Sequence, residues 1–146
     1  SGRNPNFLIG KHVEQAFKLK NSSLELISTG YILVGNEKNT AVSYISNTTP
    51  IPSEQYDIGA ATAIAGELLG FQLIYLEAGS GSNNCVNENM ILNVSKNIDC
   101  PLIVGGGLNT IEKIEIAFEN GADIVVIGNA VEKNQKILNQ IGKIKK

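Results

Sequence analysis

At 146 residues the chain is the size of one domain or of part of a larger one. Hydrophobic residues make up 42% and charged residues 18%, which allows a buried core and excludes a disordered polypeptide. The net charge of −2, from 12 basic against 14 acidic residues, argues against nucleic acid as the main partner, because duplex binding usually needs clustered Lys and Arg and there is no basic patch beyond the short Lys143–Lys146 tail.

In chain order, Phe7–Gly10 reads as a short strand and His12–Lys20 as a short amphipathic helix. The apolar run Leu24–Val34 ends at Gly35 and reads as a strand. Asn36–Asn47 reads as an extra extended segment, with Ala41–Ile45 alternating. Ser46–Pro52 is too rich in turn formers to be anything but loop. Asp57–Leu69 reads as a helix packed closely on a sheet, capped by Asp57 and closed by Gly70. Leu73–Leu76 is a strand running into Glu77-Ala78-Gly79, and Asn87–Asn97 is a helix with Met90, Ile91 and Val94 at helical spacing. Leu102–Val104 is a strand ending in three glycines. Thr110–Glu119 is a helix stopped by Asn120-Gly121. Ile124–Ile127 is a strand ending in Gly128-Asn129, and Ala130–Ile144 closes the chain as one helix.

The short, continuous, β-branched runs are the pattern of strands buried on both faces, which belong to parallel sheets. Strand starts at 73, 102 and 124 give units of 29 and 22 residues, the size of a βα repeat with right-handed crossovers. A closed (β/α)8 barrel takes about 250 residues. The length alone fits a five-stranded doubly wound sheet better, but the glycine turns favour the barrel. The expected fold is therefore an α/β, (β/α)8 TIM barrel of the phosphate-binding type, N-terminally truncated. Residues 1–146 would form its C-terminal portion, from about the fourth strand to the eighth.

Glycines between a strand and a helix let the backbone approach an anion, and the helix N-terminus adds donors and a favourable dipole. Gly105-Gly106-Gly107 and Gly128-Asn129 are two such turns in succession, where phosphate-binding barrels hold their anion. Neither a P-loop nor a dinucleotide fingerprint occurs. A strand that ends in a carboxylate is unusual, because desolvating an unpaired charge is costly. Alternation puts Tyr75 and Glu77 on one face, and Gly79-Ser80-Gly81 adds free N–H groups and a hydroxyl. One His and two Cys argue against a zinc site or a catalytic triad, and Cys85 and Cys100 read as free thiols. With neither a run of about 18 apolar residues nor a signal peptide, the chain reads as soluble and cytoplasmic.

The segments YLEAGSG, LIVGGGL and GADIVVIGNA, with NPNFLIGKHVEQA, STGYILVG and SYISNTTPIP upstream, resemble the geranylgeranylglyceryl phosphate synthase family, including its bacterial PcrB-like members. The resemblance covers essentially the whole chain. It implies a prenyltransferase that moves a polyprenyl group from its diphosphate to the 3-hydroxyl of sn-glycerol 1-phosphate in ether-lipid biosynthesis, with Mg2+. The third barrel helix would be replaced by an irregular extended segment. Carried over residue by residue, the glycerol phosphate contacts fall on Tyr75, Leu76, Glu77, Ala78, Gly79, Ser80 and Gly81, on Gly106 and Gly107, and on Gly128 and Asn129. Glu77 becomes the base that orients and deprotonates the hydroxyl, and Tyr75 orients the polar head.

The resemblance places the Mg2+-binding Asp, a basic neighbour and a Ser/Thr ligand on the first two strands, and none of these falls on this sequence. The chain alone is therefore expected to bind acceptor weakly and not to turn over. A homo-oligomer and transient membrane contact through the lipid product are also expected. His12 reads as structural, and Tyr31 and Tyr44 as core or rim packing rather than as groove walls. Two other readings compete. One is a phosphosugar isomerase, synthase or aldolase on a phosphate-site barrel, although no strand core offers the Schiff-base Lys an aldolase needs. The other is a non-catalytic phosphate-binding half-barrel.

Overall fold

A computed structural model of the chain describes residues 4–35, 41–133 and 136–142. Four parallel strands, β1 (Thr29–Leu33), β2 (Leu73–Glu77), β3 (Leu102–Gly105) and β4 (Ile124–Val126), lie side by side in sequence order. The helices are α1 (Lys11–Lys20), α2 (Ala41–Ser46), α3 (Tyr56–Leu68), α4 (Glu88–Ser95), α5 (Ile111–Glu119), α6 (Asn129–Lys133) and α7 (Lys136–Ile141). A parallel neighbour can be reached only by a crossover, and α3, α4 and α5 supply the connections. The α/β fold is that of a partial barrel, as expected.

The pairing register aligns Leu33, Glu77, Gly105 and Val126 in one row across the C-terminal strand ends. Two rows earlier, on the same face, stand Tyr31, Tyr75, Ile103 and Ile124. Successive side chains alternate between faces. Ile74, Leu76, Leu102 and Val104 therefore point to one side, where they are buried with Met90, Ile91, Val94 and Ile114 of α4 and α5. Each such side chain withdrawn from water contributes about 1.5–3 kcal/mol. Small residues of α3 (Gly59, Ala60, Ala63 and Gly66) are buried too, and a side chain at Gly59 would overlap Met90.

Several sequence expectations need correction. The strands are not buried on both faces: β1 and β2 alternate half-buried and buried residues, because helices cover only one side. In β4, Ile124 and Val126 stand 45% and 43% exposed, since β4 is the last strand in the described sheet. Asn6–Gly10 is a π-helical turn leading into α1, not a strand. Of the run Leu24–Val34, Thr29–Leu33 form the strand and Val34 extends the pairing, while Leu24, Leu26 and Ile27 are exposed. Ala41–Ser46 is helical rather than extended, and residues 36–40 of the expected segment lie outside the described residues. Ile51 does make a single parallel bridge to Val34, inside a segment that is otherwise loop.

Asp57 is not the cap of α3. Gln55 holds that position without a side-chain bond, and the Asp57 carboxylate accepts from Asn93 Nδ2 at 3.1 Å. Thr110 caps α5 and Asn87 caps α4, each through its side-chain oxygen. The closing helix is two helices, α6 and α7, with residues 134–135 between them outside the described set, as are Ser1-Gly2 and the Lys143–Lys146 tail. Among the described residues no helix is long and apolar enough to cross a membrane.

One structural carboxylate gives a pH prediction. Glu67, near the end of α3, accepts from the backbone N–H groups of Cys100 and Asp99, both at 2.8 Å. These bonds, the Cys100 bond foremost, hold its carboxyl below the ordinary value of 4.5. Because the folded value is the lower one, the stabilisation is complete above about 4.5 and disappears as pH falls through the folded value. Thermal melts should therefore show a gap between wild type and Glu67→Gln at pH 7 that closes progressively below pH 4.5. A gap independent of pH would contradict this role.

Candidate active site

The row at the C-terminal strand ends carries the chemistry. Glu77 closes β2 with only 5% of its surface exposed. Both carboxylate oxygens are engaged: Tyr75 Oη donates to Oε2 at 2.6 Å, and the Gly79 N–H donates to Oε1 at 2.8 Å. A carboxylate offers about four lone pairs, so each oxygen keeps acceptor capacity for a further donor. Burial, and then the bond to Glu77, push the Tyr75 phenol above its ordinary value of 10.0. Tyr75 is therefore a proton donor held on the carboxylate and cannot itself serve as the base.

Glycines make this pair possible. Gly105 stands opposite Glu77 in the register, where any side chain would overlap the Tyr75 hydroxyl. Gly106 has φ +82, and a Cβ there would lie 2.7 Å from Glu77 Oε1 and 2.8 Å from the Ala78 and Gly79 nitrogens. Gly107 has φ +69 and lies against the backbone of Asn84 and Cys85. The β3–α5 turn is thereby pressed onto the β2–α4 turn. The Ala78 N–H donates to Gly105 O at 3.0 Å and continues the sheet pairing into the site.

A cavity of about 440 Å³ opens over this row. It brings together Tyr75, Glu77, Ser80, Gly81, Gly106, Gly107, Gly128 and Asn129 from the expected set. Gly81 and Asn129 approach each other across it, so that a Cβ on Gly81 would sit 3.2 Å from Asn129 Nδ2. Three expected contacts do not line the cavity: the Leu76 side chain belongs to the core on the opposite face, Ala78 is buried, and Gly79 serves through its N–H to Glu77. Gly128 lines the cavity but has nothing within 4 Å of an added Cβ, so no close approach demands glycine there.

Sequence reasoning missed Ser82, Asn83, Asn109 and Ile137 on the cavity wall. Loop residues flanking glycine carry no periodicity, and Ile137 lies eight residues beyond Asn129. It placed Gly105 in the anion turn, whereas the structure sets Gly105 opposite Glu77, where it makes room for the Tyr75 hydroxyl.

A second cavity of about 1200 Å³ is mainly apolar, with Phe7, Leu33, Ile58, Ala61 and Leu69 among its walls. Tyr31 lines it, and Tyr31 also packs edge-on against Tyr75 with ring centroids 5.0 Å apart. The Tyr31 phenol is pushed up to about 12 by burial and then by the negative charge of Glu77. Tyr31 thus packs on Tyr75 at the rim of a cavity and adjoins the carboxylate pair. Tyr44 is 88% exposed and borders neither cavity, and His12 lies on the wall of the apolar one.

Four parallel strands in sequence order, with a polar cavity at their C-terminal ends, are the arrangement of part of a TIM-type barrel. The chain belongs to the PcrB family, whose sequence profile matches residues 1–145. It is 49% identical over 141 residues to the geranylgeranylglyceryl phosphate synthase of Chitinophaga pinensis, which takes in 97% of this chain and 56% of that relative. It therefore spans about half the length of the curated relatives it matches. Among solved structures, a wild-type GGGPS from Thermoplasma volcanium superposes with a TM-score of 0.90 at 32% identity, over 98% of this chain and 58% of that one. The (S)-3-O-geranylgeranylglyceryl phosphate synthase of Thermoplasma acidophilum, solved in complex with the substrate sn-glycerol-1-phosphate, gives 0.87 at 29% identity, over 95% of this chain and 56% of that one.

Proposed function

We propose that the chain forms the acceptor half of a prenyltransferase that joins a polyprenyl group to the 3-hydroxyl of sn-glycerol 1-phosphate in ether-lipid synthesis. The observation that carries this reading is the buried Glu77 carboxylate, held on both oxygens at the wall of a glycine-lined cavity. The names of the relatives and the sn-glycerol-1-phosphate in the Thermoplasma acidophilum complex support it.

In this reading the amides of the glycine turns and Asn129 take the phosphate, and the glycerol 3-hydroxyl lies against Glu77. The prenyl carbon–oxygen bond to diphosphate breaks, allylic cation character builds at that carbon, and the acceptor oxygen forms the ether bond while its proton passes to Glu77. Orienting the two reactants supplies much of the rate, with the base adding about 10²–10⁴-fold. The apolar cavity beside Tyr31 is the place for the prenyl tail.

Mg2+ belongs to the family expectation for the diphosphate. Among the described residues no three His, Cys, Asp or Glu side chains gather to hold a metal ion, so no step here is routed through it. In the same reading β1 to β4 are the later strands of a closed barrel, the protein is a cytoplasmic homo-oligomer, and it meets membranes only through its lipid product.

The test is product formation. The chain is incubated with labelled geranylgeranyl diphosphate, sn-glycerol 1-phosphate and Mg2+, alone and together with the part of the Chitinophaga pinensis relative that lies outside the match. Labelled prenylglyceryl phosphate in the second arm is the expected result, and no product in either arm overturns the reading. Asn129→Ala should raise the acceptor KM about tenfold, the effect of losing one hydrogen bond to a charged group, with kcat little changed.

A further inference from the structure

We propose that Lys113 is a positioning residue that clamps the β2–α4 and β3–α5 turns together as one anion cradle. The inference deepens the acceptor reading above and rests on it only for the ligand.

Lys113 stands in the first turn of α5, where a cation opposes the helix dipole, so helix stability does not account for it. Its ammonium does. Nζ donates to Asn83 O at 3.2 Å, Gly107 O at 3.3 Å and Asn109 Oδ1 at 3.0 Å. An ammonium has three N–H donors, and all three are spent on these acceptors. One acceptor belongs to the β2–α4 turn and two to the β3–α5 turn, and all three residues line the polar cavity.

The clamp sits at the seam where Gly107 lies on the Asn84–Cys85 backbone. At this seam the Ser82 N–H donates to Gly79 O and the Asn84 N–H to Ser82 Oγ, both within one turn, whereas the Lys113 bonds run to both turns. The cavity wall itself contains no Lys, Arg or His among its described residues, while Glu77 contributes a negative charge. Lys113 is thus the cation tied to a wall that must accept a dianion. It touches the wall from behind with every donor engaged, and so it acts through the turns rather than on the ligand.

The test measures the clamp and the ligand separately. In the wild-type chain, 15N NMR of the lysine ammonium groups should show Lys113 exchanging its protons at least tenfold more slowly than the exposed Lys96. Lys113→Met should speed amide exchange at Ser82 and Asn84 about tenfold and leave Ile74 and Leu76 of β2 unchanged. It should also weaken sn-glycerol 1-phosphate binding about tenfold, the loss expected from breaking hydrogen bonds to a charged group. A Lys113 ammonium that exchanges as fast as that of Lys96 overturns the clamp, and this measurement needs no variant to fold. Unchanged exchange at Ser82 and Asn84 in a folded Lys113→Met chain overturns it as well. Slow ammonium exchange in a wild-type chain that binds no sn-glycerol 1-phosphate supports the clamp and overturns the acceptor reading.

Discussion

Replacing Glu77 by Gln should lower kcat by about 10²–10⁴-fold, the range for loss of a general base, while the acceptor KM stays close to wild type. The phosphate would be held by turn amides and Asn129, which the substitution does not touch, so binding and chemistry separate. Stability changes too, by a smaller amount. Gln has one acceptor oxygen where Glu has two, and both the Tyr75 hydroxyl and the Gly79 N–H now donate to that carboxylate. One donor is left unsatisfied, at a cost of about 1–3 kcal/mol. A melt alongside the kinetics keeps the two effects apart. Unchanged turnover in a folded Glu77→Gln protein would show that another group takes the proton.

Gly106→Ala should damage both the stability and the binding site of the chain. The residue sits at φ +82, where a side chain costs about 1–2 kcal/mol before any contact is counted. The added Cβ would also lie 2.8 Å from two backbone nitrogens and 2.7 Å from Glu77 Oε1, whose carboxylate is held by the Tyr75 hydroxyl and the Gly79 N–H. Together these should cost about 2 kcal/mol or more, lower Tm by about 6 °C, and weaken acceptor binding by pushing the two glycine turns and their amides apart. Gly128→Ala is the matched control, in open space with no positive φ, and should change stability by less than about 0.5 kcal/mol. Equal effects at the two glycines would remove the close-approach argument for Gly106.

The contrast between these glycines marks where sequence reading reaches its end. Both follow a strand and precede a helix, and from the sequence they are equivalent. Only the coordinates show that one is wedged against Glu77 and the other meets nothing. The same holds for Lys113, which on the sequence is an ordinary surface lysine of a helix and in space joins the turn at Asn83 to the turn at Gly107 and Asn109.

The sequence by itself determined the repeating βα order, the strand that ends in Glu77, the glycine turns and the parallel sheet. These follow from local rules: apolar runs of strand length, caps such as Thr110, and glycine where a turn needs it. Tertiary structure decided which face of each strand is covered, since burial depends on what packs there and not on the strand's own composition. It also turned Ala41–Ser46 and Asn6–Gly10 into helical turns where short apolar runs read equally well as strands. And it brought the Tyr75–Glu77 pair opposite Gly105, because register between strands some thirty residues apart is set by the whole packed sheet.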